Sequence, residues 1–187
     1  MTLPSKTINS ELISPEYLEQ NHLKHQASEC YGASGEKHAA KIQNLARKMG
    51  TEDILDYGCG KGTLGAAMTF DINEYDPCIP GKDSPPDPAD LVVCTDVMEH
   101  IEPEYLDAVL DDLKRLTKIG IYLNVAMYAA LKHLPDGRNT HLIQESREWW
   151  LPRLMKRFEL KAFTSNDKIQ QDGEILSEFL VLMAAKE

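Results

Sequence analysis

The chain has 187 residues, 42% of them hydrophobic and 27% charged, the balance of one globular domain and not of a disordered or repetitive chain. Thirty acidic against twenty basic side chains leave a net charge of -10, a field that repels phosphate backbones and anionic membrane surfaces. Cys30, Cys59, Cys78 and Cys94 form no CxxC pair, residues 1–10 lack the apolar core of a signal peptide, and no apolar run approaches the roughly 18 residues of a membrane span, so a soluble cytoplasmic protein with reduced thiols is expected.

Ser14 and Pro15 open the first helix, because the hydroxyl can cap it and the first turn does not use the N–H that proline lacks. After the loop Tyr31-Gly32-Ala33-Ser34-Gly35, the stripe Ala39, Ile42, Ala46 and Met49 predicts a helix ending at Gly50. Short apolar segments then read as strands at Ile54-Leu55, 72–75, 91–95, 119–125, 160–164 and 179–183, most of them buried on both faces. A helix opened by Glu102-Pro103 carries Leu106, Val109, Leu110, Leu113 and Leu116 on one side, which makes a parallel crossover between two strands. Pro152 should break or kink a helix over 149–158. The polar stretch 165–177 has no helical stripe and predicts a hairpin-like reversal, giving the sheet an antiparallel end.

The segment Ile54-Leu55-Asp56-Tyr57-Gly58-Cys59-Gly60-Lys61-Gly62-Thr63-Leu64-Gly65 ends a strand at Asp56, turns through alternate glycines and opens a short helix near Thr63. Such glycines let the main chain turn tightly and approach a ligand closely. Lys61 is followed by Gly62 and not by the hydroxyl residue that holds magnesium in a Walker A loop, which disfavours nucleoside triphosphate hydrolysis. Asp76 stands 20 residues after Asp56, beside the turn, where a carboxylate can accept hydrogen bonds from both hydroxyls of a ribose. An adenosine-containing ligand is implied.

With Asp90-Leu91-Val92-Val93-Cys94-Thr95-Asp96-Val97-Met98-Glu99-His100-Ile101, these motifs make the chain resemble the class I S-adenosylmethionine-dependent methyltransferases. The resemblance runs from about residue 36 to the carboxyl terminus. It implies an α/β, Rossmann-like sandwich, mostly parallel with an antiparallel C-terminal strand, and S-adenosyl-L-methionine as cofactor. It assigns the turn of Gly58, Cys59, Gly60 and Gly62 to the methionine and ribose part, Asp56 or the rim to the ammonium group, and Asp76 to the ribose hydroxyls. The strand ending at Thr95 and Asp96 is implied to lie beside the reactive methyl. Residues 1–35 are expected as a helical extension or lid, with Tyr17 and Tyr31-Gly32 over the cofactor, and 36–187 as the methyltransferase domain. Only 13 residues separate Asp76 from Asp90, so the family's third strand and its helix should be lost or shortened; Asp83 and Asp87 are the acids left for the adenine side. The DxGxGxG order departs from the GxGxxG fingerprint, which makes a dinucleotide oxidoreductase the weaker reading.

Transfer of a methyl from a sulfonium needs a positioned nucleophile, excluded water and, for some acceptors, proton removal. The acceptor should enter near Thr95, Asp96, His100, Asn124 and the segment after Val125. Within the loop 127–145, which carries His133, Asp136, Arg138, Asn139 and His141, Arg138 is expected to orient an anionic or polar acceptor and His141 to take its proton. The plainer roles are a local ion pair and a satisfied loop histidine. His100 reads first as a residue capping nearby backbone groups, Trp149 and Trp150 as packing. No metal is expected, for want of a carboxylate cluster. Ser84-Pro85-Pro86-Asp87 is similar to the SPPY-type loop of base methyltransferases, but Asp87 stands where an aromatic should stack and the motif precedes the central strand. A small-molecule acceptor is therefore expected, with no stable nucleic-acid or membrane partner; the oligomeric state stays open. The alternative is a catalytically silent S-adenosylmethionine-binding partner subunit or sensor.

Overall fold

The computed structural model describes residues 12–169 and 175–186; the readings for residues 1–10 and for the tip of the C-terminal reversal lie outside the described residues. One sheet holds β1 (Ile54–Tyr57), β2 (Asn73–Tyr75), β3 (Ala89–Thr95), β4 (Thr117–Ala126), β5 (Phe158–Ile169) and β6 (Ile175–Ala185) in the order β2-β1-β3-β4-β6-β5. The first four strands run parallel, and β6 lies antiparallel between β4 and β5. Five helices, α1 (Pro15–Ala27), α2 (Ala39–Met49), α3 (Thr63–Ala67), α4 (Leu106–Leu116) and α5 (Arg147–Arg157), complete the Rossmann-like sandwich.

Side chains of a strand alternate between its faces, and here each face finds a helical layer. Leu55, Val92 and Cys94 pack with Leu110 and Leu113 of α4 and Trp150 and Leu154 of α5. Their neighbours Ile54, Leu91 and Val93 pack with Ile42 and Ala46 of α2 and Leu64 of α3. Burial on both faces explains the unbroken apolar run 91–94 within β3. Leu110 and Leu113 are wholly buried, so truncating either to alanine would cost about 2–5 kcal/mol. Helix α2 ends as its sequence predicts, on Gly50 in the left-handed region at φ 70, and the Ser14 hydroxyl accepts from the Tyr17 N–H at 3.1 Å to cap α1.

Between β2 and β3 the chain forms neither helix nor strand, and β2 is the edge of the sheet. The short spacer after Asp76 thus shows as a missing strand and helix. Three local readings are corrected. The segment 160–164 is not buried on both faces: β5 is the opposite edge, with one strand neighbour and most of its side chains exposed, Phe163 included. The polar stretch 165–177 is only partly reversal, because 165–169 and 175–177 continue the two strands; an edge strand has a solvated face and needs no apolar run. Of the break or kink expected at Pro152, the break does not occur, and α5 runs through that residue. Buried Trp150 and Leu154 hold it to the sheet on either side of the residue that cannot donate a bond. Trp149 stacks beneath Arg153 at 3.6 Å.

Candidate active site

Strand β1 runs straight into the glycine turn, where Gly58, Gly60 and Gly62 adopt φ values of 79, 51 and 74, in the left-handed region that favours glycine. The turn is held by its neighbours. The N–H groups of Gly58 and Cys59 both donate to the Tyr75 carbonyl, at 2.7 and 3.0 Å. Asp76, at the end of β2, accepts from the Gly60 N–H at 3.0 Å on one oxygen and from the Cys78 N–H at 2.9 Å on the other. Its carboxyl is buried, which pushes its pKa up against the pull of those N–H bonds. The loop after α1 lies directly on the turn: Lys61 N–H donates to the Gly32 carbonyl at 2.7 Å, and a Cβ added at Gly60 would collide with that same oxygen.

A cavity of about 610 Å³ opens above the turn, within the range of small-molecule and cofactor sites. Gly58, Gly60, Asp76, Asp96 and Tyr31 line it, with Tyr17, His25, Gly32 and Ser34 from the N-terminal segment. Four other expected cofactor residues do not line it. Asp56 is buried at the end of β1, its carboxyl pushed up to about 7 by burial, with Glu74 adding and Lys82 opposing. The Cys59 thiol is buried and pushed up likewise. Gly62 faces the Glu74–Lys82 ion pair, and Thr95 ends β3 inside the fold. Asp83 and Asp87 are also absent from the lining.

Asp96 sits at the carboxyl end of β3 with φ 56, the one non-glycine residue at positive φ among the described residues, a backbone state that a folded protein keeps only where its surroundings hold it. Its carboxylate accepts from Asn124 Nδ2 at 2.6 Å, Ser34 Oγ at 2.7 Å and Lys37 Nζ at 2.7 Å. Burial raises its pKa, but these donors and the Lys37 charge outweigh it and hold the carboxyl below its ordinary value. Asp96 therefore ties the N-terminal segment to the centre of the sheet. Tyr31 donates to Asn21 at 2.8 Å, and Tyr17 donates to the His100 carbonyl at 2.5 Å.

The far end of the cavity is formed by residues 128–132 with Thr140, His141 and His100. The two imidazoles meet edge to face with centroids 4.8 Å apart. His100 Nδ1 is 2.6 Å from the Thr140 carbonyl, and His141 Nδ1 is 2.6 Å from the Tyr128 carbonyl. A carbonyl only accepts, so each Nδ1 carries the proton and each Nε2 keeps its lone pair. Burial, aided by the neighbouring His141, lowers the His100 pKa to about 4, and burial lowers that of His141 too, so both rings are neutral near pH 7. Beneath them Glu99 is almost fully buried; burial and the Asp96 charge push its carboxyl up to about 8.

Arg138 does not reach the cavity lining. Its Nε pairs with Asp136 at 2.7 Å where the loop meets α1: Asp136 also accepts from Gln20, and the guanidinium lies 5.8 Å from the Tyr17 ring. The local ion pair is thus what this arginine makes. Sequence reasoning passed over Glu99, His25 and Tyr128; a buried acid inside Val97-Met98-Glu99-His100-Ile101, flanked by apolar residues, was the available signal for the first.

Residues 23–171 match the model of a family described as a methyltransferase domain. No curated protein matches the chain by sequence. Among solved structures, 1,6-didemethyltoxoflavin-N1-methyltransferase of Burkholderia thailandensis, with bound 1,6-didemethyltoxoflavin and S-adenosylhomocysteine, is similar at TM-score 0.62 and 12% identity, over 92% of this chain and 90% of that one. The N-methyltransferase NodS of Bradyrhizobium japonicum WM9, in complex with S-adenosylhomocysteine, aligns at TM-score 0.59 and 12% identity, over 91% and 100%. Magnesium protoporphyrin IX methyltransferase of Synechocystis PCC 6803, with bound S-adenosylmethionine, aligns at TM-score 0.54 and 14% identity, over 99% of both chains. The family match spans both ends of the cavity, from the last turn of α1 through the glycine turn and Asp96 to His141, and the chain belongs to the class I S-adenosylmethionine-dependent methyltransferases.

Proposed function

We propose that the chain moves the methyl group of S-adenosylmethionine to a small polar acceptor seated against His100 and His141. One observation carries this reading: a single cavity joins the glycine turn to the paired imidazoles. The residues at the turn fit the cofactor. Asp76 spends one acceptor site per oxygen on backbone N–H groups and keeps others for ribose hydroxyls. Gly58 and Gly60 expose main chain without a Cβ in the way, and the carboxylates of Asp76 and Asp96 favour a cationic ligand.

When bound, the cofactor supplies a methyl group on a positively charged sulfur that an in-line nucleophile displaces. The protein then has to orient the acceptor and keep water out. Tyr17 and Tyr31 close one wall, and the neutral rings of His100 and His141 offer lone pairs to the acceptor side. Asp96 is a positioning residue, since its oxygens are engaged by Asn124, Ser34 and Lys37. Residues 1–35 act as a lid in this reading, and protease protection that rises when S-adenosylhomocysteine is added checks that role. Structural neighbours that act on small molecules support a small-molecule acceptor, and the net charge of -10 argues against a nucleic acid. The cavity is lined without a broad basic surface.

Titration calorimetry with S-adenosylmethionine and S-adenosylhomocysteine tests the cofactor site, and transfer of labelled methyl to a panel of small amines, hydroxyls and carboxylates tests the acceptor class. At 100 times its dissociation constant the cofactor should stabilise the fold by about 2.7 kcal/mol. Absence of heat with both compounds would overturn the reading.

A further inference from the structure

At the acceptor end, Glu99, His100 and His141 each offer one ligand atom, and the three atoms lie within 4.8 Å of one another. Three features make this group unlike a chance meeting of polar side chains. Both imidazoles are anchored through Nδ1 to a backbone carbonyl, Thr140 for His100 and Tyr128 for His141, each at 2.6 Å. That anchoring fixes the tautomer and turns Nε2 into a ligand, as the outer partner of a metal-bound histidine does. Glu99 is 1% exposed, and while one of its oxygens accepts from the Ala126 N–H at 3.2 Å, the other is buried with no hydrogen-bond partner. A buried carboxyl oxygen left in that state costs free energy unless something fills the gap. Both histidines also line the cavity, so an ion held here keeps an open position toward the acceptor, as catalytic sites with three protein ligands do.

We propose that Glu99, His100 and His141 form a binding site for a divalent transition-metal cation, Zn²⁺ being the first candidate. Two imidazoles and one carboxylate suit zinc and its first-row neighbours, whereas magnesium or calcium would want more oxygens. Ligand bonds of about 2.1 Å around a tetrahedral ion place donor atoms roughly 3.4 Å apart, so the three side chains, which each bring a ligand atom within 4.8 Å of the others, draw closer around the ion. With the cation bound, the two Nε2 lone pairs are spent on it, and the cation in their place coordinates the oxygen or nitrogen of the acceptor and fixes its orientation. The proposal departs from the metal-free site expected from the sequence, because the ligand set comes together only in the fold. The role in catalysis rests on the methyl-transfer reading above; the cation site itself does not.

The test uses the full-length protein, stripped with a chelator and titrated with Zn²⁺ by calorimetry and with Co²⁺ by visible absorption, with no cofactor present. One equivalent per chain is expected, with the d–d bands of a cobalt ion in low symmetry. Glu99→Gln and His141→Ala should each weaken binding at least about tenfold. His133→Ala removes an exposed imidazole of the same loop and should leave binding unchanged. Thermal melts check that the variants fold; Glu99→Gln removes a buried ionisable group and should not unfold the chain. No binding, or binding untouched by both ligand variants, overturns the site. S-adenosylhomocysteine is titrated into the same preparations: cofactor binding without cation binding sinks the metal site alone, and the reverse result sinks the methyl-transfer reading while the metal site stands.

Discussion

The two ends of the cavity are built in opposite ways. At the cofactor end, one stretch of chain from β1 to α3 supplies the turn, and a single carboxylate from the next strand, Asp76, ties it down through main-chain N–H groups. At the histidine end, side chains from residues 99, 100 and 141 meet across loops, with Tyr17 and Tyr31 of the N-terminal segment closing the wall. The first arrangement depends on backbone shape and tolerates few replacements at its glycines. The second depends on which side chains the loops carry, so a substitution there alters its chemistry without touching the turn.

The sharpest way to break that contrast is Gly60→Ala. The added Cβ needs a left-handed backbone at φ 51 and collides with the Gly32 carbonyl and Cα, so we expect at least a hundredfold loss of S-adenosylhomocysteine affinity by calorimetry and a lower melting temperature. His141→Ala strikes the other end. Turnover should fall more than tenfold, at least about 1.4 kcal/mol of transition-state stabilisation, while cofactor affinity stays within twofold; a parallel loss of both would mean the two ends are not separable. Asp56→Asn probes the strand that leads to the turn. Because the native carboxyl titrates near 7 and the unfolded one near 3.9, the unfolded state ionises first as pH rises. The wild type should lose stability relative to the variant between about pH 4 and 7, with a plateau above, by roughly 2–4 kcal/mol in urea melts. A difference independent of pH would show that the carboxyl is not held neutral. The smallest effect is expected from Arg138→Ala. Its half-exposed pair with Asp136 is of the kind worth about 0–1 kcal/mol, and turnover should change less than twofold.

How much was legible in the sequence follows the same division. The glycine turn, Asp76 and β3 could be read because each is local: backbone requirements and a doubly buried strand leave their mark on consecutive residues. The missing third strand was legible from the family resemblance and the spacing together, as 13 residues between Asp76 and Asp90 cannot hold the helix and strand that the resemblance implies. Arg138 was misplaced because the sequence puts Asp136 two residues away but does not say which direction the guanidinium takes. Asp56 reads as a ligand-facing acid from the motif, yet it is buried away from the cavity lining, with Glu74, Lys82 and Asp76 as its charged neighbours. Glu99 and His141 are more than forty positions apart, and only the return of the chain after β4 brings them within reach. The hairpin was half hidden for a different reason: β5 has one strand neighbour and a wet face, so most of its length reads as polar coil.

The bond from the Lys61 amide to the Gly32 carbonyl spans 2.7 Å between two segments that share no secondary-structure element. In isotope-exchange measurements that single amide should therefore report the detachment of the N-terminal segment from the turn, at a rate set by opening alone and not by melting of the sheet. Its deuterium uptake, followed with and without S-adenosylhomocysteine, would report how tightly the two segments stay joined when a nucleoside is present.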